Sequence, residues 1–165
     1  MEKRLNRQTV FEGKIITLHL DQVKMPSGRQ STREVVSHRP AVAILAQNEL
    51  GEVLCVRQWR YAIGKEVLEI PAGLIDSGET PLEAAHRELR EETGFDADLT
   101  LLTTLYTSPG FCDEVIHLYE AHHLVSSPLQ PDEDEDLTLQ WVPFERLIGD
   151  CADGKTLAAL AFARR

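Results

Sequence analysis

The sequence predicts a layered α/β (α+β) protein in which strands surround one helix with clear boundaries. Strand-like segments precede Pro71, further ones follow from Leu99, and a well-capped helix lies between them. Sheets and helices of this mixed order bury their apolar faces by packing in layers. The 165 residues suffice for one domain with a real core. We therefore predict a single domain over residues 1–165, with residues 1–38 as an N-terminal strand region.

The N-terminal third consists of short strands separated by turns. Apolar and polar residues alternate in "KIITLHLDQVKM", and the turn residues "PSG" follow that segment. Further strand segments are "STREVVSHRP", "AVAILAQ", "VLCVRQW" and "EVLEIPAG", with a turn at "NELGE". The last of these strands is predicted to stop at Pro71, because proline cannot donate to a strand ladder.

A helix is predicted from Pro81 to Thr93. Thr80 is a suitable N-cap, proline suits the first helical position, and Glu83 completes a capping box. Gly94 is a natural residue for ending the helix. The apolar stripe that faces the core is predicted to contain Leu82, Ala85 and Leu89.

Strands and two helices are predicted for the remainder of the chain. The strands are "LTLLTTLYTS", "EVIHLYEAHHL" and "LTLQWVP", with loops at "SPGFCDE" and "SSPLQPDEDED". The two C-terminal helices are "PFERLIGD" and "KTLAALAFARR".

Composition argues against several classes of partner. A net charge of −10 disfavours nucleic acid, and no apolar run approaches the roughly 20 residues that span a bilayer. The N-terminus has no apolar segment typical of a secretory signal. Three scattered cysteines without a CxxC spacing favour a reducing compartment, so a cytoplasmic location is predicted.

Three glutamates of the predicted helix share one face. Glu88, Glu91 and Glu92 fall within an arc of roughly 100° beside the apolar stripe. Like charges at this spacing destabilise an isolated helix, and they lie at the end that the helix dipole disfavours. A divalent cation such as Mg²⁺ or Mn²⁺ would explain them, because both prefer oxygen ligands on a rigid frame. The alternative is a solvated charged face balanced by Arg87 and Arg90.

The spacing around this helix resembles the Nudix box. "GLIDSGETPLEAAHRELREETGF" (residues 73–95) follows Gly-x5-Glu-x7-Arg-Glu-U-x-Glu-Glu-x-Gly-U, where U is a bulky aliphatic residue. Every fixed position matches, and only Phe95 replaces the usual aliphatic residue. The resemblance implies an α/β/α sandwich with a mixed sheet, plus N-terminal antiparallel strands. It also implies hydrolysis of a nucleoside diphosphate linked to another moiety, with divalent cations, most simply Mg²⁺, stabilising the developing charge.

Carried over position by position, the resemblance assigns roles within the box. Glu88 and Glu92 are implied metal ligands, and Glu91 is implied to be a catalytic ligand or a close partner. The carbonyl of Ala72 is a further implied ligand. The implied framework residues are Gly73, Glu79 and Arg87, the last two acting through charge-assisted hydrogen bonds.

Motifs outside the box resemble the ADP-ribose pyrophosphatase branch of this family. They are "RQWR", "LEIPAGLID", "YTSPGFCDE" and "PDEDED", with weaker similarity in "FEGKI" and "REVVSHRPAVAIL". The implied reaction is Mg²⁺-dependent hydrolysis of ADP-ribose to AMP and ribose 5-phosphate. Other nucleoside diphosphate derivatives (ADP-sugars, GDP-mannose, NADH) remain alternatives, as does a non-catalytic nucleotide-binding module.

The same resemblance implies substrate-binding residues, each with a plainer alternative. Arg60 would hold the pyrophosphate, although it could be a surface arginine at a strand end. Glu69 would accept hydrogen bonds from ribose, or simply point outward from its strand. Gly110 and Glu114 would line the terminal-ribose pocket, or form an ordinary turn.

The acidic loop and the N-terminal strands complete the implied site. Glu133 and Glu135 are candidate general bases on a loop that would close over metal-bound substrate, although most charge runs are solvated loops. The resemblance also implies a homodimer formed through residues 1–38, with Ile15, Arg33 and Glu34 where they would contact adenine across the dimer. Core packing is the alternative for Ile15.

Overall fold

The computed structural model describes residues 1–130 and 137–163, and the chain divides into two compact units. The first unit comprises Met1–Pro40 and Tyr106–Val115. The second comprises Ala41–Leu105 and Ile116–Arg165. The prediction that all 165 residues form a single domain stays a prediction.

The first unit is built on an antiparallel sheet of strands β1 (Lys3–Glu12), β2 (Ile16–Lys24) and β3 (Gln30–His38), in that spatial order. This confirms the predicted N-terminal antiparallel strands. The strand β1 itself was not predicted, because every one of its residues is exposed and its sequence shows no alternation. Its backbone pairs with β2, and an ion pair of 2.7 Å between Arg7 and Asp21 joins the two strands.

The segment Tyr106–Val115 is attached to the end of β3. The N–H of Val36 donates to the carbonyl of Phe111 at 2.7 Å, and the N–H of Asp113 donates to the carbonyl of Val36 at 3.0 Å. The Asp113 carboxylate accepts from the N–H of His38 at 2.8 Å and from the hydroxyl of Ser37 at 2.9 Å. The predicted loop "SPGFCDE" therefore has a fixed position within this unit.

The second unit contains two sheets. One has the order β10 (Thr138–Pro143), β5 (Glu52–Arg60), β6 (Lys65–Glu69), and both of its pairings are antiparallel. The other has the order β7 (Ala72–Leu74), β4 (Ala41–Ala46), β9 (Val115–Ser126), β8 (Phe95–Tyr106). It is a mixed sheet, since β4 runs parallel to β9 and antiparallel to β7.

Helices cover both faces of the strand β4. Its residues Val42, Ile44 and Ala46 belong to a buried cluster with the helix α1 (Pro81–Thr93). The alternate residues Ala41, Ala43 and Leu45 belong to a second cluster with α2 (Phe144–Asp150) and α3 (Gly154–Ala163). Because successive residues of a strand point to opposite faces, this unit is an α/β/α sandwich, as predicted. No described helix is long and apolar enough to cross a membrane.

The helix α1 has the predicted boundaries and caps. The hydroxyl of Thr80 accepts from the N–H of Glu83 at 3.3 Å, and the Glu83 carboxylate accepts from the N–H of Thr80 at 2.8 Å. Gly94 ends the helix in the left-handed conformation, with φ of 75°. The predicted apolar stripe is wrong at Leu82, whose side chain is exposed, because Ala84, Ala85 and Leu89 supply the buried face.

Candidate active site

Arg87 is the centre of a hydrogen-bonded network at the carboxylate face of α1. Its Nε and Nη2 donate to the two oxygens of Glu79 at 2.9 and 3.0 Å. Its Nη1 donates both to Glu88 at 2.6 Å and to Glu91 at 2.9 Å. Nη2 also donates to the carbonyl of Leu74 at 2.9 Å. A single guanidinium therefore offsets three carboxylates and ties the helix to β7.

Gly73 permits Glu88 to approach the backbone of β7. A Cβ atom placed on Gly73 would overlap the carboxylate carbon and both oxygens of Glu88. A larger residue at position 73 would displace this carboxylate, and Glu88 as a whole is 7% exposed. The position of Gly73 in the box thus has a steric reason: it sets where the Glu88 oxygens lie.

Glu92 contacts the same short strand. Its Oε2 accepts from the N–H of Ala72 at 3.1 Å, and the residue is 7% exposed. The structure thus brings Ala72, Gly73, Glu88 and Glu92 together at the junction of β7 and α1. Within residues 1–130 and 137–163, no three His, Cys, Asp or Glu side chains are arranged so that they could hold a metal ion.

Charge-assisted hydrogen bonds join Glu79 to Arg87, and the framework role of the two residues stays a prediction. The hydrogen bonds from Arg87 hold the pKa of Glu79 below its ordinary value, and the N–H of Asp76 adds a further bond of 3.0 Å. The pKa of Arg87 is raised, first by its bonds to Glu79 and then by those to Glu88 and Glu91. These bonds fasten the loop before α1 to the helix.

Arg60 and Glu69 form a forked ion pair at the ends of β5 and β6. Arg60 donates from Nε to Oε1 and from Nη2 to Oε2 of Glu69, both at 2.6 Å. Glu69 is 2% exposed, so the alternative that its side chain points outward from the strand is wrong. Alternation along the strand does not show that this face is covered. Lys155 at the start of α3 is a second cation on Glu69, and no sequence signal linked it to this position.

The remaining predicted substrate residues lie in the first unit. Ile15 and Glu34 are exposed, and Arg33 forms an ion pair with Glu2. Glu114 accepts from the hydroxyl of Thr107 at 2.6 Å and lies 3.5 Å from Nδ1 of His38. Gly110 is exposed within the segment held against β3. The core-packing alternative for Ile15 is wrong, because its side chain is 54% exposed.

The two candidate general bases, Glu133 and Glu135, lie outside the described residues. Their assignment therefore rests on the sequence alone.

Comparisons with known proteins agree with this fold and identify the family. Residues 37–160 match the NUDIX domain, and residues 2–36 match the nucleoside diphosphate sugar hydrolase N-terminal domain. The chain is 38% identical to the ADP-ribose pyrophosphatase of Bacillus subtilis, covering 98% of this chain and 91% of the relative. It is 40% identical to the ADP-ribose pyrophosphatase of Mycobacterium tuberculosis, covering 96% and 79%.

A solved structure gives the same result for the fold. The crystal structure of an ADP compounds hydrolase superposes with a TM-score of 0.90 at 29% identity, covering 99% of this chain and 92% of that one. The chain belongs to the Nudix family and is a Nudix hydrolase.

Nudix hydrolases generally use divalent cations. In the described residues the acidic side chains are not gathered as a three-ligand metal site, but their donor chemistry suits such a cation. The acidic side chains at the junction of β7 and α1 offer only oxygen donors, which suit hard cations. Because Gly73 has no Cβ, the Glu88 carboxylate lies against β7. The backbone N–H of the adjacent Ala72 donates to Glu92.

Proposed function

We propose that this enzyme hydrolyses ADP-ribose to AMP and ribose 5-phosphate with Mg²⁺ as its cation. The observation that supports this best is the carboxylate face of α1, where Gly73 makes room for Glu88 and Ala72 contacts Glu92. The similarity to ADP-ribose pyrophosphatases over nearly the whole chain supports the choice of substrate.

In this proposal the residues of the second unit hold the cation and the diphosphate. Glu88, Glu91 and Glu92 and the carbonyl of Ala72 would hold Mg²⁺, which supplies charge stabilisation and an acidified water. Arg60 would donate its planar fork to the diphosphate, and Glu69 would accept from ribose hydroxyls. Glu79 and Arg87 would keep the helix and the preceding loop in place, and Glu133 or Glu135 would take the proton from the attacking water.

Further residues implied by the family resemblance would recognise the rest of the substrate. We assign adenine contacts to Ile15, Arg33 and Glu34, and contacts to the terminal ribose to Gly110 and Glu114. The cytoplasm is the proposed location, in keeping with three cysteines that are all free thiols.

We expect ADP-ribose to be the best substrate in a panel that also contains ADP-glucose, GDP-mannose and NADH. The physical reason is that the diphosphate and both riboses would each meet a dedicated group of residues. The measurement is kcat/KM for each compound with millimolar Mg²⁺, with products identified by chromatography. A higher kcat/KM for any other member would overturn the substrate assignment.

A nucleoside diphosphate sugar is the second candidate substrate. The match of residues 2–36 to the nucleoside diphosphate sugar hydrolase N-terminal domain favours it. The same panel separates this candidate, because ADP-glucose or GDP-mannose would then give the highest kcat/KM. Binding of these compounds without turnover of any would instead select a non-catalytic nucleotide-binding module.

We also propose that the protein is a homodimer assembled through residues 1–38. Support comes from β1, in which every residue is exposed, including the apolar side chains of Leu5, Val10 and Phe11. Light scattering after size exclusion should therefore give twice the mass of the chain. Replacement of Phe11 by aspartate should shift the mass toward that of one chain, and a monomeric wild type would contradict the proposal.

A further inference from the structure

Lys155 belongs to a buried charge cluster that the box does not explain. Its Nζ contacts Oε2 of Glu69 and lies 3.2 Å from Oδ2 of Asp153. Glu69 also accepts two hydrogen bonds from the guanidinium of Arg60. Two cations therefore contact one carboxylate that is 2% exposed. One cation is enough to pair a buried carboxylate, so the second cation requires an explanation.

The first residues of α3 hold Lys155 in this position. The Asp153 carboxylate accepts from the N–H of Thr156 at 3.0 Å and from its hydroxyl at 2.6 Å. The same hydroxyl accepts from the N–H of Ile70 at 3.0 Å, directly after Glu69 in the chain. Because Thr156 is fully buried, these bonds fix the start of the helix to the end of β6.

The two cations differ in exposure. The side chain of Lys155 is 11% exposed, whereas that of Arg60 is 43% exposed. Burial raises the pKa of Glu69, but Arg60 and Lys155 outweigh it, so that the pKa lies below its ordinary value. If Arg60 were the single partner, its departure would leave a buried, unpaired charge, which is strongly unfavourable. With Lys155 present, Arg60 can leave while Glu69 stays paired.

Arg60 has the chemistry to exchange its carboxylate partner for a phosphate anion. A guanidinium binds phosphate through two parallel donors. The pKa of Arg60 is raised first by its hydrogen bonds to Glu69. The side chain of Arg60 is 43% exposed, so its guanidinium is accessible to an anionic substrate.

We propose that Lys155 is a positioning residue: it keeps Glu69 paired, so that Arg60 can exchange from Glu69 to the diphosphate of the substrate. This inference rests on the proposed function, because it takes the diphosphate as the ligand of Arg60. The exchange also releases oxygens of Glu69 from Arg60, which makes them available as acceptors for ribose hydroxyls. Arg60 is thus held on a carboxylate before substrate binds and is released at little cost.

A double-mutant cycle on Arg60 and Lys155 tests this proposal. Replacement of Lys155 by methionine, which keeps length and removes charge, should raise KM for ADP-ribose about tenfold while kcat changes less than about threefold. Replacement of Arg60 by methionine should raise KM similarly. The KM of the double variant should be no higher than that of the single variant with the higher KM, because Lys155 acts through Arg60. Multiplied effects on KM, or an unchanged KM in K155M, would overturn the proposal.

Two further variants separate positioning from general stability. Lys155→Arg keeps the charge and should restore KM to within about twofold of wild type, whereas a role in packing alone would not be rescued. Arg146→Met is the control: it removes an exposed cation on α2 and should leave KM and kcat unchanged. If K155M does not fold, Lys155→Gln takes its place in the cycle. In either case the KM of K155R should lie within about twofold of that of wild type.

The experiment also distinguishes failure of this inference from failure of the proposed function. If wild type prefers another nucleoside diphosphate derivative, the substrate assignment fails, and the same cycle is measured on that compound. Non-additive effects on KM would then still support exchange of Arg60, and additive effects would reject it.

Discussion

Replacing Glu92 with glutamine is expected to lower kcat with Mg²⁺ by about 100-fold or more. Loss of a residue that merely supports a metal ligand costs 10–100-fold, so loss of a direct ligand should cost at least as much. The fold should survive, because the amide oxygen of glutamine can still accept from the N–H of Ala72. Removing one of several like charges on α1 also relieves repulsion. Steady-state kinetics and urea unfolding measure the two effects.

A matched control is Glu49→Gln, which makes the same chemical change on an exposed glutamate in the turn before β5. Its kcat and KM should equal those of wild type. Undiminished turnover by E92Q would exclude the metal role assigned to Glu92. A loss of turnover accompanied by a large loss of stability would instead point to a structural role.

Replacing Arg87 with methionine is expected to lower the free energy of unfolding by about 3 kcal/mol, near the lower limit for breaking a buried ion pair. The guanidinium donates to Glu79, Glu88, Glu91 and the carbonyl of Leu74, and its side chain is 24% exposed. Methionine keeps the aliphatic packing but leaves these carboxylates without their shared donor. Urea unfolding at pH 7 measures the loss, and millimolar Mg²⁺ should recover part of it by binding the folded state.

The free energy of unfolding lost in R87M should become smaller at acidic pH. Arg87 holds the pKa of Glu79 below its ordinary value of 4.5, so the stabilisation is fully present above that pH. It is lost as the pH falls through the lowered folded pKa. The difference in stability between wild type and R87M should therefore shrink in that acidic range.

Arg146→Met on α2 is the control for Arg87, since Arg146 is exposed and forms an ion pair of 3.4 Å with Asp150. Exposed pairs of this kind contribute roughly 0–1 kcal/mol. An equal loss of unfolding free energy in R87M and R146M would contradict the stabilising role assigned to Arg87.

Local signals in the sequence determined the helix α1 and the identity of its acidic face. Thr80, Glu83 and Gly94 act on neighbouring backbone groups, so the structure has the caps and boundaries that these residues predict. The arc of three glutamates follows from helical geometry alone. The box spacing correctly identified the family, because its glycine and charged positions are specified by local sterics and chemistry.

Tertiary structure decided the features that depend on distant partners. The strand β1 is fully exposed, and its position comes from the backbone ladder with β2 rather than from alternation. Leu82 is exposed, because Ala84, Ala85 and Leu89 form the face of α1 that packs in the cluster with β4.

The charge partners within the site were also decided by the tertiary fold. Sequence reasoning left open whether Glu69 pointed outward, and it contained no sign of Lys155, which lies 86 positions away. The two residues meet because Thr156 and Asp153 fix the start of α3 against the end of β6. A local motif specifies its own geometry through short-range bonds, whereas the pairing of a buried charge depends on which elements the fold brings together.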